Sequence, residues 1–307
     1  MSENPPDESI GVNASAERHL SDIVTARMSR RAALRGLTAT TALAGTGMFG
    51  SLLTSASAEA KGGSTLMFTE IAHGPTADQA VAPGYAANVL IRWGDRIVGE
   101  APDFDPLRQS AAAQAQQFGY NNDFLAYMPL PLGSHSSDHG LLWANHEYTE
   151  SYMMFPGLSR KDVPDKLTKE QVDVEIAAHG ASIVEVRKTG GRWQVVEDSR
   201  YARRITALST EIRMSGPAAG HARLRTAADP AGTKVVGMLN NCAGGTTPWG
   251  TVLTCEENFN TYFSGDAAKT PEAANYKRLT FAPRSRYGFS RFHDRFDVEK
   301  EPREANR

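Results

Sequence analysis

Short apolar runs, repeatedly cut by glycine and proline, constrain this chain more than any other feature of its 307 residues. Ser64 to Glu70, Tyr85 to Trp93, Asp123 to Met128, Gly140 to Tyr148, Thr233 to Leu239, Thr251 to Glu256 and Arg278 to Ala282 each read as a strand. Gly94, Pro129 and Gly237 stop or break such runs, because proline fixes φ and glycine opens positive φ. In the run Gly140 to Tyr148, period 2 places Leu141, Trp143, Asn145 and Glu147 on one face. Leu142, Ala144 and His146 fall on the other. One helix is marked clearly, by a capping box of Thr168 and Gln171, a staple of Leu167 and Val172, and Gly180 at the C-terminal cap. Ala181 to Arg187, Thr189-Gly190-Gly191 and Arg192 to Glu197 follow as a β-hairpin. Little helix and no βαβ alternation point to an all-β sandwich, barrel or propeller.

The amino terminus carries a compartment signal. Ser29-Arg30-Arg31-Ala32-Ala33-Leu34-Arg35 resembles a twin-arginine export motif. A modestly apolar stretch, Leu37 to Leu53, follows and ends in Ala56-Ser57-Ala58 and Ala58-Glu59-Ala60, both small-x-small cleavage patterns. Residues 1–58 are therefore expected to be a disordered leader and signal peptide, and 59–307 the folded domain of a periplasmic or secreted protein. A formal charge of -2 gives no argument for nucleic acid or an anionic membrane surface, and no nucleic-acid partner is expected.

Chemistry concentrates in Asn240 to Asn258, which holds both cysteines, Cys242 and Cys255, and the pair Glu256-Glu257. Gly244, Gly245 and Pro248 predict a loop between two strands there. With Glu147, these residues offer soft thiolate ligands for a transition metal and hard carboxylates for a cation such as Ca²⁺. A Cys242–Cys255 disulfide is the competing reading, and in an exported protein the commoner outcome; it would contribute roughly 3 kcal/mol. His146-Glu147 is not the helical zinc motif, since position 150 is Glu. His135 and His139 frame Ser136, Ser137 and Asp138, but no Gly-x-Ser-x-Gly elbow surrounds these serines. Arg92, Arg203 and Arg204 are candidates to hold phosphate. The aromatic run Tyr287 to Phe292 precedes a charged stretch, Asp297 to Arg307. That stretch reads equally as a solvated tail or as the end of a chain that stops inside its fold.

Several segments together resemble the PhoX family of alkaline phosphatases. They are Val89 to Asp95, Asn145-His146-Glu147-Tyr148, Ala178-His179-Gly180, Ser215 to His221, and above all Asn240 to Ala243, Thr247 to Thr251 and Glu256-Glu257-Asn258. The resemblance implies a six-bladed β-propeller with a central Fe³⁺ and Ca²⁺ cluster that hydrolyses phosphate monoesters by metal-assisted attack on phosphorus. It assigns Cys242 before Cys255 as the thiolate, and Glu147 with Glu256 or Glu257 as carboxylate ligands. Cys242 and Glu147 carry the catalysis, with Arg92 and Arg203 as clamps on the substrate. It also implies export through the twin-arginine machinery and a monomer. Family members are about twice as long, so an incomplete propeller, lacking blades at its C-terminus, is expected. Two alternatives remain: a calcium-dependent lactonase or phosphotriesterase on a propeller, which needs no thiolate, and an inactive truncated fragment.

Overall fold

The structure is a computed structural model that describes residues 69–307, so the export motif, its apolar stretch and most of the first expected strand lie outside the described residues. No helix among the described residues is long and apolar enough to cross a membrane. Among the described residues, nine short strands alternate with turns: β1 (Asn122–Pro129), β2 (His139–His146), β3 (Gly180–Thr189), β4 (Arg192–Val195), β5 (Arg203–Ile205), β6 (Glu211–Arg213), β7 (Lys234–Val236), β8 (Asn241–Thr246) and β9 (Val252–Glu256). Helices are few: α1 (Ala111–Gln114), α2 (Ser151–Met154), α3 (Lys169–Ala178) and α4 (Ala273–Tyr276). Ile71–Arg307 forms one compact unit.

The main sheet is antiparallel, in the order β1-β2-β3, with β4 and β5 both paired to β3. β2 occupies one edge of β3, so β4 (opposite Val186 to Thr189) and β5 (opposite Ala181 to Ile183) lie end to end along the other. The sheet is thus four strands wide. β6–β7 and β8–β9 are separate antiparallel pairs. The alternation expected in β2 is present. Leu142 and Ala144 pack with Ile97, Phe118, Val184 and Val186 on one face, and Trp143 packs with Ala126, Ala181 and Phe124 on the other.

Tyr85 to Trp93 is not a strand; it runs as irregular chain into a turn at Arg92 to Asp95, where Asp95 Oδ2 accepts from the Arg92 amide (2.7 Å). Its Leu90 and Ile91 pack against the Ile97 and Phe118 cluster, so the apolar residues serve packing rather than pairing. Arg278 to Ala282 is likewise a turn after α4, with Leu279 and Phe281 packed on the core. Gly244 and Gly245, expected in a loop, extend β8 and pair with Thr254 and Leu253.

α3 begins as expected. Thr168 accepts from the Gln171 amide, the Gln171 side chain returns a bond to the Thr168 amide, and Leu167 and Val172 are buried together. Gly180, at φ +104, leads straight into β3. A Cβ there would sit 2.0 Å from the Ile205 carbonyl oxygen, so no other residue fits. The stretch after β9 makes one-turn helices and loops around an aromatic core of Tyr262, Phe263, Tyr276, Tyr287, Phe289 and Phe296. Asp297 to Arg307 is no solvated tail. Val298 and Ala305 are buried, and Arg307 pairs with Asp229 (3.1 Å) and Glu304 (2.9 Å).

Arg204 on β5 locks these parts together. Its guanidinium donates to the carbonyls of Gln117 (2.8 Å), Ala181 (2.9 Å), Ile205 (2.7 Å), Ala177 (2.7 Å) and His179 (3.1 Å). Ala177 and His179 end α3, where a cation complements the helix dipole. Burial lowers its pKa to about 9, and no carboxylate pairs with it among the described residues. Replacing Arg204 by Met orphans several buried carbonyls, at a cost on the order of 3 kcal/mol or more. Lys cannot reproduce the fork geometry and should recover little of it. Urea denaturation checks this; an unchanged midpoint for Arg204→Met would refute the role.

Candidate metal centre

Four side chains converge where β1, the end of β2, β8 and the end of β9 meet. Ligand atoms of Asp123, Glu147 and Cys242 all lie within 4.8 Å of one another. Glu257 stands near enough for its carboxylate to act on the Cys242 thiol.

Local irregularity aims each of them. β1 shifts register between Asn122 and Leu125, and Asp123 sits in that bulge. β8 shifts register between Asn241 and Gly244, and Cys242 sits in that one. A bulge adds an unpaired residue and re-aims a side chain, and here both edges of the site use one. Asn121, Asn240 and Asn258 stand at positive φ (50°, 50° and 20°), beside Asp123, Cys242 and Glu257 respectively. Asparagine tolerates that region better than most residues.

Two of these asparagines orient Glu147. Asn240 Nδ2 donates to its Oε1 (3.0 Å), and Asn121 Nδ2 reaches its Oε2 (3.5 Å). Its backbone is fixed as well: its amide donates to the Asn121 carbonyl (3.0 Å), and its carbonyl accepts from the Asn240 amide (3.1 Å). Asn145 ties β8 and β9 to β2. It donates to the Cys242 carbonyl (3.1 Å) and the Thr254 hydroxyl (2.8 Å), while accepting from Trp143 Nε1 (2.8 Å).

The electrostatics are those of crowded anions. Glu147 has a raised pKa, first from burial, then from the bond and charge of Asp123 and the charge of Glu257. The Cys242 thiol is raised by burial and then by Glu257 and Glu147. A cation among them reverses this penalty. One thiol and three carboxylates give the mixed soft and hard donors that a transition metal with Ca²⁺ calls for, so the residues fit such a group.

The two cysteines are not bridged. Thr254 points toward β2, and Cys255, its neighbour on β9, is exposed. Glu256 and Glu257 likewise diverge. Glu256 Oε1 accepts from the Leu239 amide (2.7 Å), and its side chain lines a small cavity with Met238 and Phe259. Glu257 alone of the pair joins Cys242. Arg92 lies in an exposed turn and Arg203 is exposed on β5; no hydrogen bond joins either side chain to the cluster among the described residues. Arg204 is taken up by carbonyls. His146 is buried, with Nε2 at 2.6 Å from the Ser182 hydroxyl. Ser136 donates to Asp138 (2.7 Å), whereas His139 Nε2 meets Glu185 (2.7 Å), so these residues form no Ser/His/Asp triad.

Asp123 was not foreseen from the sequence. A signal for it exists, because Asn121-Asn122-Asp123 repeats the Asn-Asn-donor order of Asn240-Asn241-Cys242. In both places the first asparagine takes positive φ and the third residue is a donor.

The family model for alkaline phosphatase PhoX matches residues 66–306. Among solved structures, Pseudomonas fluorescens PhoX in complex with vanadate, a transition state analogue, is similar at 38% identity and a TM-score of 0.69. The alignment covers 78% of this chain and 40% of that one, so this chain spans about two fifths of its relative's length. No curated protein matches. With the family model spanning most of its length, and a solved PhoX sharing its fold at that identity, the chain belongs to the PhoX family of alkaline phosphatases.

Proposed function

We propose that Asp123, Glu147, Cys242 and Glu257 form part of a metal centre that hydrolyses phosphate monoesters, with Fe³⁺ and Ca²⁺ as its metals. The observation that carries this reading is the convergence of a thiol and carboxylates within 4.8 Å. Similarity to a PhoX that binds a transition-state analogue supports it. Bound metal supplies Lewis-acid polarisation of the phosphoryl oxygens and neutralises charge that develops in the transition state. The protein's part is to hold the donors on rigid elements. Glu147 is aligned by Asn240 and Asn121, and the Cys242 backbone is pinned by Asn145. Cys242 as a ligand favours this reading over a calcium-only lactonase, which has no use for a thiolate.

We further read the four-strand-wide sheet β1–β5 as one blade of a six-bladed propeller, since blades of that class carry four antiparallel strands. Residues 29–35 are proposed to direct export to the periplasm by the twin-arginine route. Arg30→Lys with Arg31→Lys should then leave the uncleaved chain in the cytoplasm, as fractionation and mass measurement would report. Export of the double variant by that route would refute the assignment.

Cys242→Ser exchanges a soft, ionisable ligand for a hydroxyl that stays protonated. It should abolish visible thiolate-to-iron absorption and lower bound iron, measured by elemental analysis, at least tenfold. Asp123→Asn should weaken metal retention, while Cys255→Ser and Glu256→Gln should leave it near wild type. Equal effects of the two cysteine substitutions would sink the assignment.

Metal loading should also depend on pH. Raised pKa values keep Glu147 and Cys242 protonated to a higher pH than usual, so protons compete with the metal. Loading should weaken as pH falls and should release protons. Calorimetry in two buffers of different ionisation enthalpy measures that release; an absence of release would refute the donor set.

A further inference from the structure

A cavity of about 610 Å³, within the size range of small-molecule sites, is lined by segments that lead out of the candidate metal centre. Its rim continues directly from the donor residues. Thr149 and Glu150 follow Glu147 along the chain, and Asn260 and Thr261 follow Glu257. Between them stands the stacked pair Tyr262 and Tyr287 (4.3 Å between ring centroids), and the Tyr262 hydroxyl lies 3.3 Å from the Glu147 carbonyl oxygen.

The charge of the lining is lopsided. It includes three arginines, Arg160, Arg284 and Arg286, against one carboxylate, Glu150. Arg286 is bonded to Glu150 and lies over the rings of Tyr148 (5.6 Å) and Tyr287 (5.2 Å), which makes it a fixed part of the wall. Arg284 pairs with Asp165, but both side chains are more than half exposed, so that pair is screened and readily exchanged. Arg160 holds only a phenol, the Tyr152 hydroxyl (2.7 Å), and has no ion pair among the described residues. Two guanidiniums are therefore open to another anion on the same cavity, and guanidinium forks bind phosphate or carboxylate in two-pronged fashion.

We propose that this cleft is a subsite for the alcohol portion of the ester, and that it selects phosphate esters carrying a second anionic group. The proposal rests on the phosphatase reading for the first phosphate and adds the class of substrate. With the scissile phosphate at the Cys242 cluster, the second anion reaches Arg160 and Arg284 across the Thr149 and Asn260 rim. A neutral aryl group gains nothing from these side chains.

The full chain allows a test that needs no turnover. Calorimetry would compare fructose 1,6-bisphosphate with p-nitrophenyl phosphate, on the wild type and on Arg160→Gln with Arg284→Gln. The bisphosphate should bind at least about tenfold more tightly than the monoester, a preference of about 1.4 kcal/mol. The double variant, shown folded by circular dichroism, should lose that preference, and the paired Lys substitutions should restore part of it. Equal affinity for the two esters in the wild type, or an unchanged preference in the folded double variant, would overturn the subsite. Turnover by the metal-loaded chain separates the two readings. If neither ester is hydrolysed, the phosphatase reading fails while the binding preference still decides the cleft. If both are hydrolysed with no preference for the bisphosphate, the cleft reading fails alone.

Discussion

The buried guanidinium of Arg204 is the point on which the arrangement depends. It has no carboxylate partner among the described residues; five backbone carbonyls from the loop after α1, the end of α3, β3 and β5 compensate its charge. A ladder joins only the Ala181 and Ile205 strands; the carbonyls of Gln117, Ala177 and His179 come from a loop and a helix end outside it. α3 must stop and the chain must turn at once into β3, which leaves the last helical carbonyls without partners. One planar cation with five donors satisfies them and fixes where β3 begins. β3 in turn fixes β2 along its whole length, and β2 delivers Glu147 at its end.

From that frame the candidate metal centre is reached by departures from regularity. A regular strand presents side chains alternately to two faces, and it cannot turn three donors from three strands toward one point. The bulges at Asp123 and Cys242, with positive-φ asparagines beside them, make the departure. Backbone strain of this kind, of order 1 kcal/mol or more per residue, persists only where surrounding bonds over-determine it. Here the asparagine side chains and backbones bond to Glu147, so the residues that carry the strain also hold a donor in place.

The buried polar groups behind the site extend this pattern. His179 is buried, which lowers its pKa to about 4 and keeps it neutral. Its Nδ1 donates to the Glu175 carbonyl (2.6 Å), so its Nε2 is left to accept from the Tyr262 hydroxyl (2.9 Å). Tyr262 stacks on Tyr287, beside the arginine-lined cleft. Glu175, fully buried under Ser151, has its pKa raised to about 7 by burial, against the opposing hydroxyls of Ser151 and Thr149. The candidate metal site and the cleft thus share chain segments that meet at Tyr262 and Tyr287.

Much of this was legible along the chain, because local rules produce it. The capping box at Thr168, the alternation in β2, the hairpin at Gly190-Gly191 and the donor-rich stretch around Cys242 each follow from residues a few positions apart. The strands expected at Tyr85 to Trp93 and Arg278 to Ala282 failed because an apolar run records only that a segment is covered. Whether its amides find a neighbouring strand depends on segments far away in sequence. The sequence by itself determined the strand-rich class and the main helix, and it marked Glu147 and Cys242 among several candidate donors. Tertiary structure alone decided that Asp123 joins them, that Glu257 rather than Glu256 faces the sulfur, and that Cys255 stays apart. The reason is geometric: adjacent residues on extended chain point to opposite sides, and only the bulges and the packing of β8 on β1 and β2 settle which side meets the partners.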